Sequence, residues 1–252
     1  MCGIVAVSGT PEAAKLVYLG MYSLQHRGQE AAGIATYDRV SGVSHRHRAP
    51  GLVSEGFNEK VLSGLPGEVA MGHIRYSTAG GAGLKNSQPI RVVYREGDLA
   101  LTHNGNLTNA NELRARLVQE GALFQSTIDS EVIVHLIARS QRHGIEAQID
   151  DALSQLTGAF SLLITVNDTL YAARDPFGYR PLVLGHLPGG GIVVASESCA
   201  LDIMGARFLR DVEPGEVLCI RGHEVTPLRP LRPEGEMQPC IFELVYFARP
   251  DT

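Results

Sequence analysis

A cysteine stands directly behind the first methionine in MCGIVAVSG, followed by a glycine and a short apolar run that reads as a strand. Removal of Met1 would put a thiol and an α-amine on one Cα. Reference pKa values are about 7.7–8.0 for the amine and about 8.5 for the thiol, so near neutrality the neutral amine can take the thiol's proton. One residue then supplies both nucleophile and base. With Met1 in place that nitrogen is an amide, and the help of a general base, on the order of 10²- to 10⁴-fold, is lost. Gly3 would let a substrate approach the backbone closely. The competing reading of Cys2 is a small packing residue, one of four cysteines.

Further polar residues fall where apolar runs end. LQHRGQEAAGI holds Arg27 and Gly28 in a turn, GHIRYSTAG ends a strand with Arg75 and Thr78, LTHNGN ends another with Asn104 and Gly105, and DSEV opens a helix at Asp129. Each also has an ordinary reading. Asn-Gly is the commonest two-residue hairpin turn, an isolated arginine is a surface charge, and Asp129 fits a helix N-cap. The stretch RYSTAGGAGLKNSQ is, on its residues alone, a Gly-rich turn.

The elements that must position these groups follow from pattern. TPEAAKLVYLGMYSLQHRG predicts a helix capped by Thr10, with Pro11 in its first turn, Leu16, Leu19, Ser23 and Leu24 at helical spacing and Gly28 as its stop. NANELRARLVQEG has capping-box spacing at Asn109 and Glu112 and closes at Gly121. DSEVIVHLIARSQRHG carries Val132, Ile133, Leu136 and Ile137 on one side. Asp150 and Asp151 read as a helix start. AAGIATYD, GEVAMGHIRYS, DLALTHNG, GAFSLLITV, TLYAARD, RPLVLGH and GIVVASES read as strands. Helices crowd the first half and strands dominate both ends. That order predicts an α+β fold of two mainly antiparallel sheets with helices outside them, not a doubly wound parallel sheet.

With 252 residues, 44% apolar and 19% charged, the chain has material for a substantial core and no sign of disorder. The net charge of -5 and the absence of any basic cluster beyond HRHR (His45 to Arg48), read as a solvated turn, argue against nucleic acid. The longest uncharged stretch, Ala152 to Asn167, is interrupted by polar residues and falls short of the ~20 a membrane span needs. Cys2, Cys199, Cys219 and Cys240 lack disulfide or zinc spacing, which fits a reduced, cytoplasmic setting. Cys199 and Cys219 read as packing residues. PLRPLRPEGEMQP reads as a linker, and the apolar CIFELVYFARPDT beyond it as the beginning of further protein.

MCGIVAV, SLQHRGQEAAGI, GHIRYSTAG, LTHNGNLTNANELR, DSEV, RDPFGYRPLVLG, ASESCALD, RDVEPGEV and CIFELVYFARPD, in this order, closely resemble the glutamine phosphoribosylpyrophosphate amidotransferase family. The resemblance runs from Met1 to Thr252 and covers that family's glutaminase half. Several of the motifs belong to all class II glutamine amidotransferases; LQHRGQ, RDPFGYRPL and FELVYFARPD point to this branch. The resemblance implies the four-layer αββα N-terminal nucleophile hydrolase fold. It implies a class II glutaminase domain over 1–235, and over 236–252 the start of a connection to a missing phosphoribosyltransferase domain.

It also implies roles. Cys2 would attack the glutamine side-chain amide, forming a glutamyl thioester and releasing ammonia, with Asn104 and Gly105 as the oxyanion hole. Arg75 would pair with the glutamine α-carboxylate and Asp129 with its α-ammonium, while Thr78, Arg27 and Gly28 would surround the substrate. The loop from Arg75 to Gln88 would close over glutamine. In the full-length family the ammonia goes to phosphoribosyl pyrophosphate, usually with Mg²⁺, to make 5-phosphoribosylamine in the first committed step of purine synthesis. The full-length form is expected to be a homo-oligomer. No cofactor is expected in this chain. Cys240 matches a position that in some members supplies one of four ligands to a [4Fe-4S] cluster, the other three lying in the missing domain.

An N-terminal-cysteine amide hydrolase with a substrate other than glutamine stays open, and so do two further readings. One is the glutaminase domain of another class II amidotransferase, against which HRG in place of YRG and Tyr76 in place of Trp both argue. The other is a catalytically silent module that binds glutamine or a partner, which a retained Met1 would favour.

Overall fold

Alternation along the strands sets the architecture. In β1 (Gly3–Ser8) Ile4 and Ala6 pack to one side, while Val5 and Val7 pack to the other against α1 (Ala13–Ser23). A strand buried on both faces has to be covered twice, by a second sheet and by a helix. The computed structural model describes residues 1–76, 83–228, 230–231 and 237–252. The remaining strands are β2 (Ala31–Asp38), β3 (Val43–Pro50), β4 (Val69–Arg75), β5 (Ile90–Tyr94), β6 (Gly97–Leu107), β7 (Gly158–Val166), β8 (Thr169–Arg174), β9 (Val183–His186), β10 (Ile192–Ala195), β11 (Arg207–Asp211), β12 (Val217–Arg221) and β13 (Glu224–Pro227).

Among the described residues they form a seven-stranded sheet in the order β11-β9-β10-β1-β4-β2-β3 and a six-stranded sheet in the order β13-β12-β8-β7-β6-β5. Every pairing is antiparallel. Between the sheets lies one apolar layer with Ile4, Ala6 and Met71 on one side and Leu163, Leu170 and Ile220 on the other. The short helices α2 (Val53–Gly56) and α3 (Glu59–Ser63) follow β3. α1 and α7 (Cys199–Ile203) cover the first sheet; α4 (Ala110–Gln119), α5 (Ser130–Arg139) and α6 (Ile145–Leu153) cover the second. The expected α+β, αββα arrangement is present. No described helix is long and apolar enough to cross a membrane.

Several local expectations change. Helix α1 starts at Ala13 behind Glu12, because Thr10 Oγ1 accepts from the Glu12 N–H in a preceding turn. It buries Ala13, Val17, Gly20 and Met21, so the inward stripe lies one position away from Leu16 and Leu19. Asn109 does not close a capping box; its side chain bridges to the Thr157 N–H and the Gln155 carbonyl. Asp150 and Asp151 fall in the last turn of α6, which begins after Gly144 at a positive φ of 84°. HRHR is no turn: it forms the middle of β3, an edge strand whose polar side chains suit an unpaired rim. Val132, Ile133, Leu136 and Ile137 are buried together, as their spacing predicts.

The inter-sheet layer makes a prediction. Met71 is fully buried there, whereas Val93 on edge strand β5 is exposed. Met71→Ala should destabilise the chain by about 2–5 kcal/mol in urea unfolding and Val93→Ala by under about 0.5. Equal small losses would show that the layer is not a packed core.

Candidate active site

The same alternation carries chemistry into the layer between the sheets. On β4, Val69 and Met71 face that layer, which puts His73 and Arg75 on the same face. On β6, Ala100 faces it, which puts Thr102 and Asn104 there too. The register pairs Gly3 with Ile74 and Ile4 with His73, so Cys2, next in line, falls opposite Arg75. Cys2, His73, Arg75 and Asn104 thus meet where the apolar layer gives way to polar side chains.

The chain start is held from behind. Arg27 Nε donates to the Cys2 carbonyl at 2.9 Å, and the Cys2 thiol lies 3.6 Å from the Tyr76 carbonyl. The Arg27 guanidinium is fully buried and paired with Glu197 and Glu243; burial opposes its charge, and the two carboxylates more than offset that. Glu197 also meets His26 Nε2 at 2.9 Å and accepts from the Arg249 N–H. Arg27 therefore sits beneath Cys2, not in the cleft. Gly3 faces the Leu24 and Arg27 side chains, whose atoms would lie 3.2 and 3.4 Å from a Cβ there, so its small size serves packing and not substrate approach. A Cβ on Gly28 would stand 2.4 Å from the Arg75 carbonyl, so this glycine lets the turn press against the end of β4. Thr78 lies outside the described residues, as do all of residues 77–82 of the loop between Arg75 and Gln88.

The opposite wall is the far end of β6. β5 pairs with it only as far as Leu101, leaving the edge beyond open. On that edge the His103 N–H donates to Gln88 Oε1 at 2.7 Å and the Leu107 N–H to Asp129 Oδ2 at 3.0 Å. Two-residue alternation puts the Gly105 N–H between them, on the same edge. Asn104 and Gly105 are thus strand residues paired with Ser161 and Phe160, not a hairpin turn. A Cβ at Gly105 would come within 2.0 Å of the Ala159 carbonyl. Asp129 caps α5, accepting from the Ser130 N–H at 2.9 Å, so its carboxylate is fixed in place.

The cleft is lined by Cys2, His73, Arg75, Gln88, Gly105 and Asp129, among others. It encloses about 20 Å³, room for about one water, so a larger occupant has to widen it. Asn104 is fully buried, and both its side-chain oxygen and nitrogen lack a partner among the described residues. An unpaired buried polar atom costs about 1–3 kcal/mol, which a fold tolerates where a ligand supplies the partner. His103, Ser130 and Gln88 on the β6 side and His73 on β4 also line the cleft, and the sequence reading does not single them out. His103 Nδ1 meets Ser130 Oγ at 2.9 Å, and Gln88 Nε2 reaches the same hydroxyl at 3.2 Å. Their signal was adjacency: His103 precedes Asn104, Ser130 follows Asp129, and His73 lies two residues from Arg75 on one strand face.

Burial pushes the Cys2 thiol up, while the charges of Arg27 and Arg75 pull the other way. Burial pushes His73 down from 6.5 to about 3, leaving it neutral. Between those values the unfolded chain binds a proton at His73 that the folded chain does not. Its contribution is therefore complete above the unfolded pKa and is lost as pH falls toward 3, with a slope approaching about 1.4 kcal/mol per pH unit. His73→Asn should flatten unfolding stability measured at pH 4, 5 and 6 by about that slope; an unchanged slope would mean His73 is protonated in the fold.

Residues 73–202 match the family model described as the glutamine amidotransferase domain. An amidophosphoribosyltransferase from Arabidopsis thaliana is 47% identical over all of this chain, which covers 44% of that protein. One from Bacillus subtilis is 43% identical, again over the whole chain, which covers 52% of it. The solved structure of the B. subtilis glutamine phosphoribosylpyrophosphate amidotransferase, complexed with ADP and GMP, superposes with a TM-score of 0.90 at 42% identity, over 99% of this chain and 53% of that one. The chain spans about half the length of the curated relatives it matches. From the match across β4 to α7 and the whole-length likeness, the chain belongs to the glutamine amidotransferase domain family, in the form found in amidophosphoribosyltransferases.

Proposed function

We propose that the chain hydrolyses the side-chain amide of glutamine through Cys2, and that within a longer protein it supplies the ammonia to phosphoribosyl pyrophosphate to make 5-phosphoribosylamine. The observation that carries this reading is the unpartnered, fully buried Asn104 amide beside the Gly105 N–H, on the inter-sheet face that Cys2 and Arg75 share.

The sequence of steps follows from those positions. Removal of Met1 frees the Cys2 amine. Burial pushes the Met1 ammonium down from 8.0 to about 6, which shows that this end of the chain disfavours a charged amine. An α-amine with its ordinary pKa of about 7.7–8.0 already has a neutral fraction near pH 7 that can accept a proton. The amine takes the thiol proton and sulfur adds to the amide carbon. The oxygen turns outward as an oxyanion between the Asn104 side-chain N–H and the Gly105 N–H, two donors that a water-excluding site has set in advance. The carbon–nitrogen bond breaks, and the amine returns its proton to the departing ammonia. Water then cleaves the thioester, giving glutamate and restoring the thiol. Arg75, buried at the strand end, offers a planar fork to the α-carboxylate, and Asp129 a fixed acceptor to the α-ammonium. Arg27 positions the nucleophile through the Cys2 carbonyl.

Transfer to phosphoribosyl pyrophosphate belongs to protein beyond these residues, in the half of the relatives that this chain does not match. Ile241, Phe242, Leu244, Val245 and Tyr246 form an exposed apolar patch of the kind that further protein covers. Among the described residues no group of three or more His, Cys, Asp or Glu could hold a metal ion. Cys240 alone cannot hold a [4Fe-4S] cluster, which takes four ligands, so no step runs through one.

Diazo-oxo-norleucine, a glutamine-like electrophile, should label the chain once, at Cys2, and excess glutamine should prevent it; peptide mapping that finds the label spread over Cys199, Cys219 and Cys240 would overturn the assignment. Asn104→Ala should lower kcat for glutamine hydrolysis by about 10²- to 10³-fold, with KM little changed, whereas Arg75→Lys should act mainly on KM. An Asn104 effect confined to KM would place this side chain on the ground-state substrate instead of the oxyanion.

A further inference from the structure

A second cavity, of about 240 Å³, opens at the rim of the sandwich where edge strands of the two sheets, β3 and β5, come together beside α5. Arg46 and Arg48 of β3, Lys85, and Arg91 of β5 line it, with Glu131 and His135 of α5. Arg46 and Arg48 are two residues apart on one strand and so share a face. The acids nearby are already engaged. Asp98 holds Arg91 through both oxygens, at 2.7 and 3.0 Å, and Glu131 accepts from the Gln125 and Ser126 N–H groups and the Ser126 hydroxyl.

Neither Arg46 nor Arg48 forms an ion pair among the described residues. Their acceptors are neutral: the Pro89 carbonyl at 3.3 Å for Arg46 and the Ser87 carbonyl at 2.6 Å for Arg48. Each guanidinium has five N–H groups, so most of their donors remain available. Partial burial, together with the charges of Arg48 and Arg91, weakens the proton affinity of Arg46; burial does the same to Arg48. A guanidinium does not lose its proton in a protein, so the remedy for this crowding is an anion.

We propose that this cavity binds a small phosphate-bearing anion, its oxygens held in the paired forks of Arg46 and Arg48 with Lys85 at the mouth. Planar forks match phosphate geometry, and the volume lies below the 300–1,000 Å³ usual for drug-sized ligands, which suits a compact anion. The two carbonyls that Arg46 and Arg48 now hold flank Gln88, so the cavity and the Cys2 cleft share the segment 87–89 as a wall. The proposal is independent of the chemistry assigned to Cys2.

Calorimetric titration of the chain with inorganic phosphate and with pyrophosphate, at constant ionic strength, tests it. One saturable site is expected, with pyrophosphate binding more tightly than phosphate. Arg46→Gln/Arg48→Gln should weaken binding at least tenfold. Arg139→Gln/Arg142→Gln, in a larger pocket on the helical face, should leave it unchanged. Arg46→Lys/Arg48→Lys keeps both charges without the forks and should fall between, which guards against a double variant that fails to fold. Absence of saturable binding, undiminished binding in Arg46→Gln/Arg48→Gln, or a loss in Arg139→Gln/Arg142→Gln equal to that in Arg46→Gln/Arg48→Gln would overturn the proposal.

Discussion

The nucleophile and its nearest partners depend on two sheets stacked face to face, because it is the inner face of a strand that carries Cys2, Arg75 and Asn104 into the space between them. The core meets that constraint with Ile4, Met71 and Ala100. Two or four residues along the same strand faces, Cys2, Arg75 and Asn104 meet it as well. The apolar layer and the reactive cleft are one layer with a change of composition at its end. The cleft therefore borders the core, and the low dielectric beside it strengthens each charge and hydrogen bond on its walls.

That position exacts a structural condition at the chain start. A terminal residue ordinarily frays, yet here Cys2 must stand at a fixed place opposite Arg75. Arg27 supplies the fixing, gripping the Cys2 carbonyl while Glu197 and Glu243 compensate its buried charge. Removing one partner from such a group leaves an uncompensated charge in a low-dielectric interior, which is far more damaging than never having built it. The arrangement also ties the first residues to the π-helical turn Glu243–Phe247 near the other end of the chain, whose Phe247 packs edge-on against Tyr76.

Much of this was legible in residues and spacing, and the failures have physical reasons. The strands AAGIATYD and GAFSLLITV match β2 and β7 residue for residue, because they are buried on both faces and read as mostly apolar runs broken only by small hydroxyl residues such as Thr36 and Ser161. The Asn104–Gly105 pair carries strong local turn chemistry, yet pairing with β7 keeps it extended; tertiary contact overrides propensity where a whole strand gains partners. HRHR misled for the opposite reason, since an edge strand with one open side need not look apolar. Arg27 was visible as a site residue, but its place beneath Cys2 rests on Glu197 and Glu243, and no local pattern announces partners from so far along the chain. His103 and Ser130 lay one residue from groups already singled out, and only the fold shows that they support them.

The central claim is that a freed Cys2 amine serves the Cys2 thiol as its base. Intact-mass measurement on material that turns over glutamine addresses it directly. The account predicts that the active molecules begin at Cys2 and that a variant engineered to retain Met1 folds but is inactive; full turnover by molecules that still carry Met1 would contradict it.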